Sequence, residues 1–447
     1  MKKIQICLIA SMLIALIACE PTITNPVGTR KLGSLGTDNS SFVYVSIGNS
    51  ITAGMHSGAM FADASKYCFP KLLADQIGVA NFVQPEYTGN GVGDRVELKG
   101  FNTAGRPILS TVTLTGSVGN AATYPKPFNN LGVPGAVAYD LIDTSSFESR
   151  ATSRDNPLYL GILRNAQFGK SMVDQAIALN PNLITIEIGN NDVLGYSTSG
   201  GTRSTNGTVN PIPTPVENLQ VIYTAALNKL TKALPNTKII VFTNPNVLGV
   251  PYFNTIPWNA LALDQANADM LNASPYSKLG FKFNPGPNGF IATSPKSPFG
   301  MRQLTANDYL LLTVPQDSLA PPALWGSKIP IPDRYVLDSL EAAVATKAVT
   351  DYNNMITGLK GISPNITIYD LNAVFQDVIK NGYKVPGGTA LSNKFISGEM
   401  FSLDGVHPTS RGHGVLANEL IKLINLTYGA DIPLVNILNL PPNYVQP

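Results

Sequence analysis

Short apolar runs, each too brief for a helix, recur along this chain between segments of helical period. Phe42 to Ile47 is stopped by Gly48, and Leu183 to Ile188 by Gly189; Lys238 to Phe242 and Ile366 to Tyr369 are of the same kind. Between them, Phe69, Leu72, Leu73 and Ile77 fall at helical spacing, as do residues of 174–179, 216–234, 337–355 and 415–424. A strand that is apolar at nearly every position must be covered on both faces. That requirement predicts an α/β fold with a mainly parallel central sheet between helices. In such folds ligands bind at the carboxyl ends of the strands.

Two stretches break the alternation. Residues 82–128 contain Arg95 to Leu98 and Ser110 to Leu114, period-2 segments that predict a β-hairpin insertion. Residues 245–335 hold 13 of the 34 prolines and both tryptophans, Trp258 and Trp325. Proline at that density excludes long helix and central strand. Tyr252, Phe253, Trp258, Tyr309 and Trp325 there are expected to pack the loops or to line a pocket.

The first residues read as an address. Lys2 and Lys3 precede an apolar run from Ile4 to Ala18, shorter than the ~20 residues that span a bilayer. It ends Leu16-Ile17-Ala18-Cys19, which resembles a bacterial lipobox. That resemblance implies a signal peptide at 1–18, lipidation at Cys19, and a location in the bacterial cell envelope. Residues 19–41 then read as a tether, rich in Pro, Gly, Ser and Thr. Membrane contact is expected through this N-terminal lipid only. Cys7 would leave with the signal, so Cys68 would stand alone and no internal disulfide is expected. Lys and Arg number 31 against 29 Asp and Glu, and that balance argues against nucleic acid as a partner.

Several motifs fail. Gly169-Lys170-Ser171 ends like a phosphate loop, but Arg164 stands where its first glycine is required. Gly89 to Gly93 has the wrong spacing for a dinucleotide fingerprint. No H-E-x-x-H or paired C-x-x-C occurs, so zinc is unsupported, and no G-x-S-x-G occurs, so an α/β-hydrolase nucleophile elbow is absent; neither a metal nor a cofactor is expected.

Four other blocks hold together. Gly48-Asn49-Ser50-Ile51 follows directly on the first predicted strand, where a serine hydroxyl can project into the ligand crevice. Asp404-Gly405-Val406-His407 lies just before the last predicted helix. An Asp three residues before a His can fold back and orient its ring, although the same pair alone would serve as a capping Asp and a surface His. Asn130 to Gly135 and Gly189 to Asp192 add a closely approachable backbone and a neutral amide donor.

Taken in chain order, 48–51, 130–135, 189–192 and 404–407, the four blocks resemble the GDSL, or SGNH, family of serine hydrolases. The resemblance implies a three-layer α/β/α sandwich and ester hydrolysis, with Ser50 as nucleophile, His407 as base and acid, and Asp404 orienting His407. It implies oxyanion donors at Ser50, Gly135 and Asn191. The hydrolase domain is expected over 42–428, with insertions at about 82–128 and 245–335 and a C-terminal tail at 429–447. The substrate would be a small-molecule, lipid or acylated-glycan ester. Acyl transfer on the same residues, and a lipid-anchored glycan- or lipid-binding protein without catalysis, stay open. The family usually has Asp where this chain has Asn49, which keeps the size but drops the charge. Asp192 is expected to fix the Asn191 turn, Gly412 and His413 to be structural, and His56 to lie at the surface or on a pocket rim.

Overall fold

The computed structural model describes residues 30–36, 41–101, 107–204 and 211–442. Its strands used below are β1 (Tyr44–Gly48), β2 (Val92–Phe101), β3 (Pro107–Thr115), β4 (Asn130–Gly132), β5 (Leu183–Glu187), β6 (Lys238–Phe242) and β7 (Ile366–Tyr369). Five of them form one parallel sheet in the order β7-β6-β5-β1-β4. The apolar runs become strands because both of their faces find cover. Val45, Ile47, Ile184, Ile186, Ile239 and Val241 enter one core, while Tyr44, Leu183, Ile240 and Phe242 enter the other. This is the period-2 alternation of a pleated strand. Each fully buried aliphatic chain contributes about 1.5–3 kcal/mol.

The helices that frame the sheet and the site are α1 (Ser50–Ala53), α2 (Phe69–Ile77), α3 (Met172–Ala178), α4 (Asn191–Thr198), α5 (Val216–Ala233), α6 (Ser339–Gly358), α7 (Leu371–Asn381) and α8 (Ser410–Tyr428). α3, α5 and α6 supply the first core; α2 and α8 supply the second, giving the three-layer α/β/α arrangement. α6 begins at a capping box. The Asp338 carboxylate accepts from the Leu340 and Glu341 N–H groups, and Glu341 accepts from the Asp338 N–H. Among the described residues no helix is long and apolar enough to cross a membrane.

The hairpin expected in the first insertion is β2 paired antiparallel with β3, and it also pairs with Ala59–Met60 beside the site. The second insertion builds small cores of its own, one of them from Ile256, Phe290, Leu304, Leu310, Ile331 and Val336, with Trp258 and Trp325 packed against it. It is joined to the sheet domain where Tyr252 donates its backbone N–H to the Gly405 carbonyl at 2.9 Å.

The structure extends the domain at both ends. Leu32 and Leu35, inside the expected tether, are buried in the second core, and Asp431 N donates to Lys31 O at 2.7 Å. Ile432, Val435, Ile437 and Leu440, in the expected tail, are buried as well. Asn418 and Asn425 lie seven residues apart on one face of α8 and hold this segment. Each exchanges two hydrogen bonds with one backbone residue, Val435 and Ile432 respectively, at 2.7–3.0 Å. The expected signal at 1–18 and Cys19 lie outside the described residues.

Candidate active site

The site lies at the carboxyl ends of β1, β4 and β5. Gly48 ends β1 and sits against α1 and β5. A Cβ at this position would come 2.0 Å from Thr52 Oγ1 and 2.4 Å from the Glu187 carbonyl oxygen, so only glycine fits. Asn49 caps α1, its Oδ1 accepting from the Ile51 N–H at 2.9 Å. Ser50 is thus the first residue of α1, turned up at the strand end.

Its Oγ is 2.8 Å from His407 Nε2, and His407 Nδ1 is 2.8 Å from Asp404 Oδ2. Asp404 is held by further donors. Gly58 N donates to Oδ2 at 2.6 Å; Val406 N, His407 N and Ser402 Oγ donate to Oδ1 at 2.8, 2.9 and 3.2 Å. Burial pushes the Asp404 carboxyl up. The neighbouring imidazole and these donors outweigh it and hold the group well below the usual carboxylate range. An ionised Asp404 only accepts hydrogen bonds, so Nδ1 of His407 carries the proton and the Nε2 lone pair faces the Ser50 hydroxyl. The arrangement can therefore remove a proton from Ser50.

The two other blocks converge on the same place. Asn191 Nδ2 donates to Ala136 O at 2.9 Å, and Asp192 Oδ2 accepts from Ala138 N at 2.7 Å. These two bonds clamp the start of α4 to the loop that follows β4. Asp192 also accepts from Thr214 Oγ1 at 2.7 Å, and burial raises its carboxyl to about 7. Gly135 lies in that loop, solvent-exposed, at φ +78°, a conformation that disfavours any side chain. Among the described residues, the Ser50 and Gly135 N–H groups donate to no protein acceptor.

Asn49, the departure from the resembled motif, is matched by a residue that the motif reading passed over. Glu187, 1% exposed at the end of β5, accepts from Asn49 Nδ2 at 3.2 Å, from Asn190 Nδ2 at 2.5 Å and from Thr52 Oγ1 at 2.9 Å. It ties the Ser50 turn to the Asn190-Asn191 turn. Burial raises its carboxyl to about 8, against the lowering effect of the Thr52 and Asn49 donors. An Asp at position 49 would set a second carboxylate against it. The signal was visible as the one charged residue in the apolar run from Leu183 to Ile188.

The expectation of a surface His56 is corrected. It is 3% exposed, its Nδ1 lies 3.0 Å from Ser57 Oγ, and burial lowers it to about 4. Ser57 in turn accepts from Leu403 N at 3.2 Å, so this pair buttresses the Asp404 loop. His413 is buried in the first turns of α8, accepts from Phe69 N at 3.3 Å and is lowered to about 3 by burial. Cys68 is buried, which pushes its thiol up to about 12.

Two hollows bear on ligand access. A cleft of about 60 Å³ is lined by Ile51, Asn190, Val406 and Pro408, sequence neighbours of Ser50, Asn191 and His407, and by Phe375 and Phe401. A cavity of about 1150 Å³ lies in the second insertion, lined by Ile256, Leu261, Leu271, Phe290, Leu319 and Leu324. Neither Ser50 nor His407 lines either hollow; the smaller adjoins the site through Ile51, Asn190, Val406 and Pro408. None of Tyr252, Phe253, Trp258, Tyr309 and Trp325 lines either hollow. Among the described residues no cluster of three or more His, Cys, Asp or Glu could hold a metal ion.

Among solved structures, the chain is similar to a GDSL-like lipase from Parabacteroides merdae ATCC 43184. Identity is 14% over 87% of this chain and 97% of that one, with a TM-score of 0.35. It is also similar to an extracellular lipase from Streptomyces rimosus, at 12% identity over 86% and 99% of the two chains and a TM-score of 0.31. No curated protein matches it. The family model described as GDSL-like Lipase/Acylhydrolase matches residues 44–420, a span that contains all four blocks and both insertions. The chain belongs to the GDSL-like lipase/acylhydrolase family.

Proposed function

We propose that the protein hydrolyses carboxylic esters in two steps through Ser50. The observation that carries this reading is the continuous line from Ser50 Oγ to His407 to Asp404, with both links at 2.8 Å. Ser50 Oγ attacks the ester carbonyl carbon while His407 Nε2 takes its proton. The resulting oxyanion accepts hydrogen bonds from the Ser50 and Gly135 N–H groups and from Asn191 Nδ2. The tetrahedral adduct collapses, His407 returns the proton to the departing alcohol, and Ser50 is left acylated. Water then loses a proton to His407 and attacks the acyl group, and collapse releases the acid and restores Ser50. Asp404 keeps its negative charge throughout and stabilises the imidazolium.

The experiment is turnover of a short-chain nitrophenyl ester by the purified protein and by Ser50→Ala. We expect turnover in the first and none in the second, with equal melting temperatures. Equal turnover in both would overturn the assignment. The lipobox-like sequence further supports anchoring of this activity to an envelope membrane through Cys19.

A further inference from the structure

Asn156 lies outside the four blocks, in the segment between residues 153 and 158. Its Nδ2 donates to the Pro134 carbonyl at 2.6 Å. That carbonyl belongs to the same peptide unit as the Gly135 N–H. The unit is trans, since the only cis bonds among the described residues are Ile212–Pro213 and Pro321–Pro322. In a planar trans peptide the C=O and N–H point in opposite directions, so holding one aims the other.

Asn156 is itself fixed. Its Oδ1 accepts from Leu158 N at 3.1 Å, and its own N–H donates to Ala151 O at 2.9 Å. The residues around it are pinned to the loop after Gly135, where the Tyr159 hydroxyl donates to Asp140 Oδ2 at 3.1 Å and Arg154 pairs with Asp140. On the other side of Gly135, the Ala136 carbonyl is held by Asn191 Nδ2 at 2.9 Å. The carbonyls of the residues on either side of Gly135 are thus each gripped by an asparagine amide, and it is the Pro134 carbonyl that shares a peptide unit with the Gly135 N–H. Gly135 is exposed and has no side chain to hold its conformation, so this grip fixes where its N–H points.

We propose that Asn156 is a positioning residue for the oxyanion site, orienting and polarising the Gly135 N–H through the Pro134 carbonyl. The proposal rests on the reading of Ser50 given above. It names a residue that touches neither Ser50 nor the reacting atoms. It places the contribution of Asn156 in the transition state, because substrate in its ground state puts little charge on the carbonyl oxygen.

The test compares wild type, Ser50→Ala, Asn156→Asp, Asn156→Ser and Asn156→Ala on one nitrophenyl ester, with thermal melting of each sample. Asn156→Asp keeps the acceptor for Leu158 N but sets an oxygen in place of the amide against the Pro134 carbonyl. Removing a whole oxyanion donor typically lowers kcat about 10²–10³-fold, so a misaimed donor should lower it about 10- to 100-fold. We expect that fall in every folded variant, largest for Asn156→Asp, with KM within about twofold of wild type. A folded variant with wild-type kcat, or a rise in KM alone, would overturn the proposal while leaving the Ser50 reading intact. Unfolding of all three variants would overturn it in favour of a purely structural role. Absence of turnover in wild type would overturn the Ser50 reading and this proposal with it.

Discussion

Replacing Glu187 with Gln should stabilise the protein at neutral and alkaline pH. Burial holds the Glu187 carboxyl protonated in the folded state up to about pH 8, while in the unfolded chain it ionises near 4.5. The folded-state value is raised. The associated stability is therefore fully present below pH 4.5 and is lost as pH rises through 8. At about 1.4 kcal/mol per pH unit, the loss between pH 4.5 and pH 7 comes to about 3 kcal/mol. Gln reproduces the protonated acid. Its oxygen can accept from Asn49 and Asn190, and its amide can donate to Thr52 Oγ1, a hydroxyl able to accept. The assay is urea unfolding of both proteins from pH 5 to 8.5, followed by tryptophan fluorescence. The difference between variant and wild type should be small at pH 5 and reach about 3 kcal/mol near pH 7. Other buried groups cancel in this difference. His56 and His413, lowered from 6.5 to about 4 and about 3, cost stability in the opposite direction, as pH falls below 6.5. A variant with the same pH slope as wild type would refute a protonated Glu187 beneath the Ser50 turn.

Three further outcomes are expected. Asp404→Asn should lower kcat about 10³–10⁴-fold with little change in KM, because the amide no longer enforces the Nδ1–H form of His407; steady-state kinetics read this directly. Gly48→Ala should cost about 1–3 kcal/mol and most of the activity, since its methyl would meet Thr52 Oγ1 and the Glu187 carbonyl; denaturant unfolding and ester turnover check both. Cys19→Ser should move the protein from the membrane to the soluble fraction of the expressing cell, and wild type alone should incorporate labelled fatty acid.

The four longest strands of the parallel sheet were legible because each is a nearly unbroken apolar run, and such runs have few alternatives to a doubly covered sheet. β4 was not, because Asn130-Leu131-Gly132 has neither length nor period; its pairing Gly48↔Gly132 makes it a strand. The apolar period of α8 begins at Val415, while the helix itself starts at Ser410, with Gly412 and His413 in its first turn. Gly412 hides its first turn from a periodicity argument, and it is required there because a Cβ would lie 2.3 Å from the Met400 carbonyl. The packing of residues 30–36 and 430–440 was equally hidden, since their apolar residues acquire period only against α8. Ser50, Asp404 and His407 could be singled out from local spacing, and the structure brings them within hydrogen-bond reach. Glu187 and Asn156 could not be assigned in this way. Their roles need contacts made across 20 to more than 130 residues, with Pro134 and with Thr52 and Asn49; the local Asn190 bond of Glu187 alone would not tie the two turns. The contacts of Ser57, the partner of His56, likewise reach the Asp404 loop some 345 residues away.

The account stands or falls on Ser50 as a nucleophile activated by His407. The direct measurement is reaction of the purified protein with a fluorophosphonate, followed by mass spectrometry of its peptides. The account predicts one adduct per chain, on the peptide bearing Ser50, formed by wild type and lost in both Ser50→Ala and His407→Ala. An adduct on another residue, or labelling of Ser50 undiminished in His407→Ala, would contradict it.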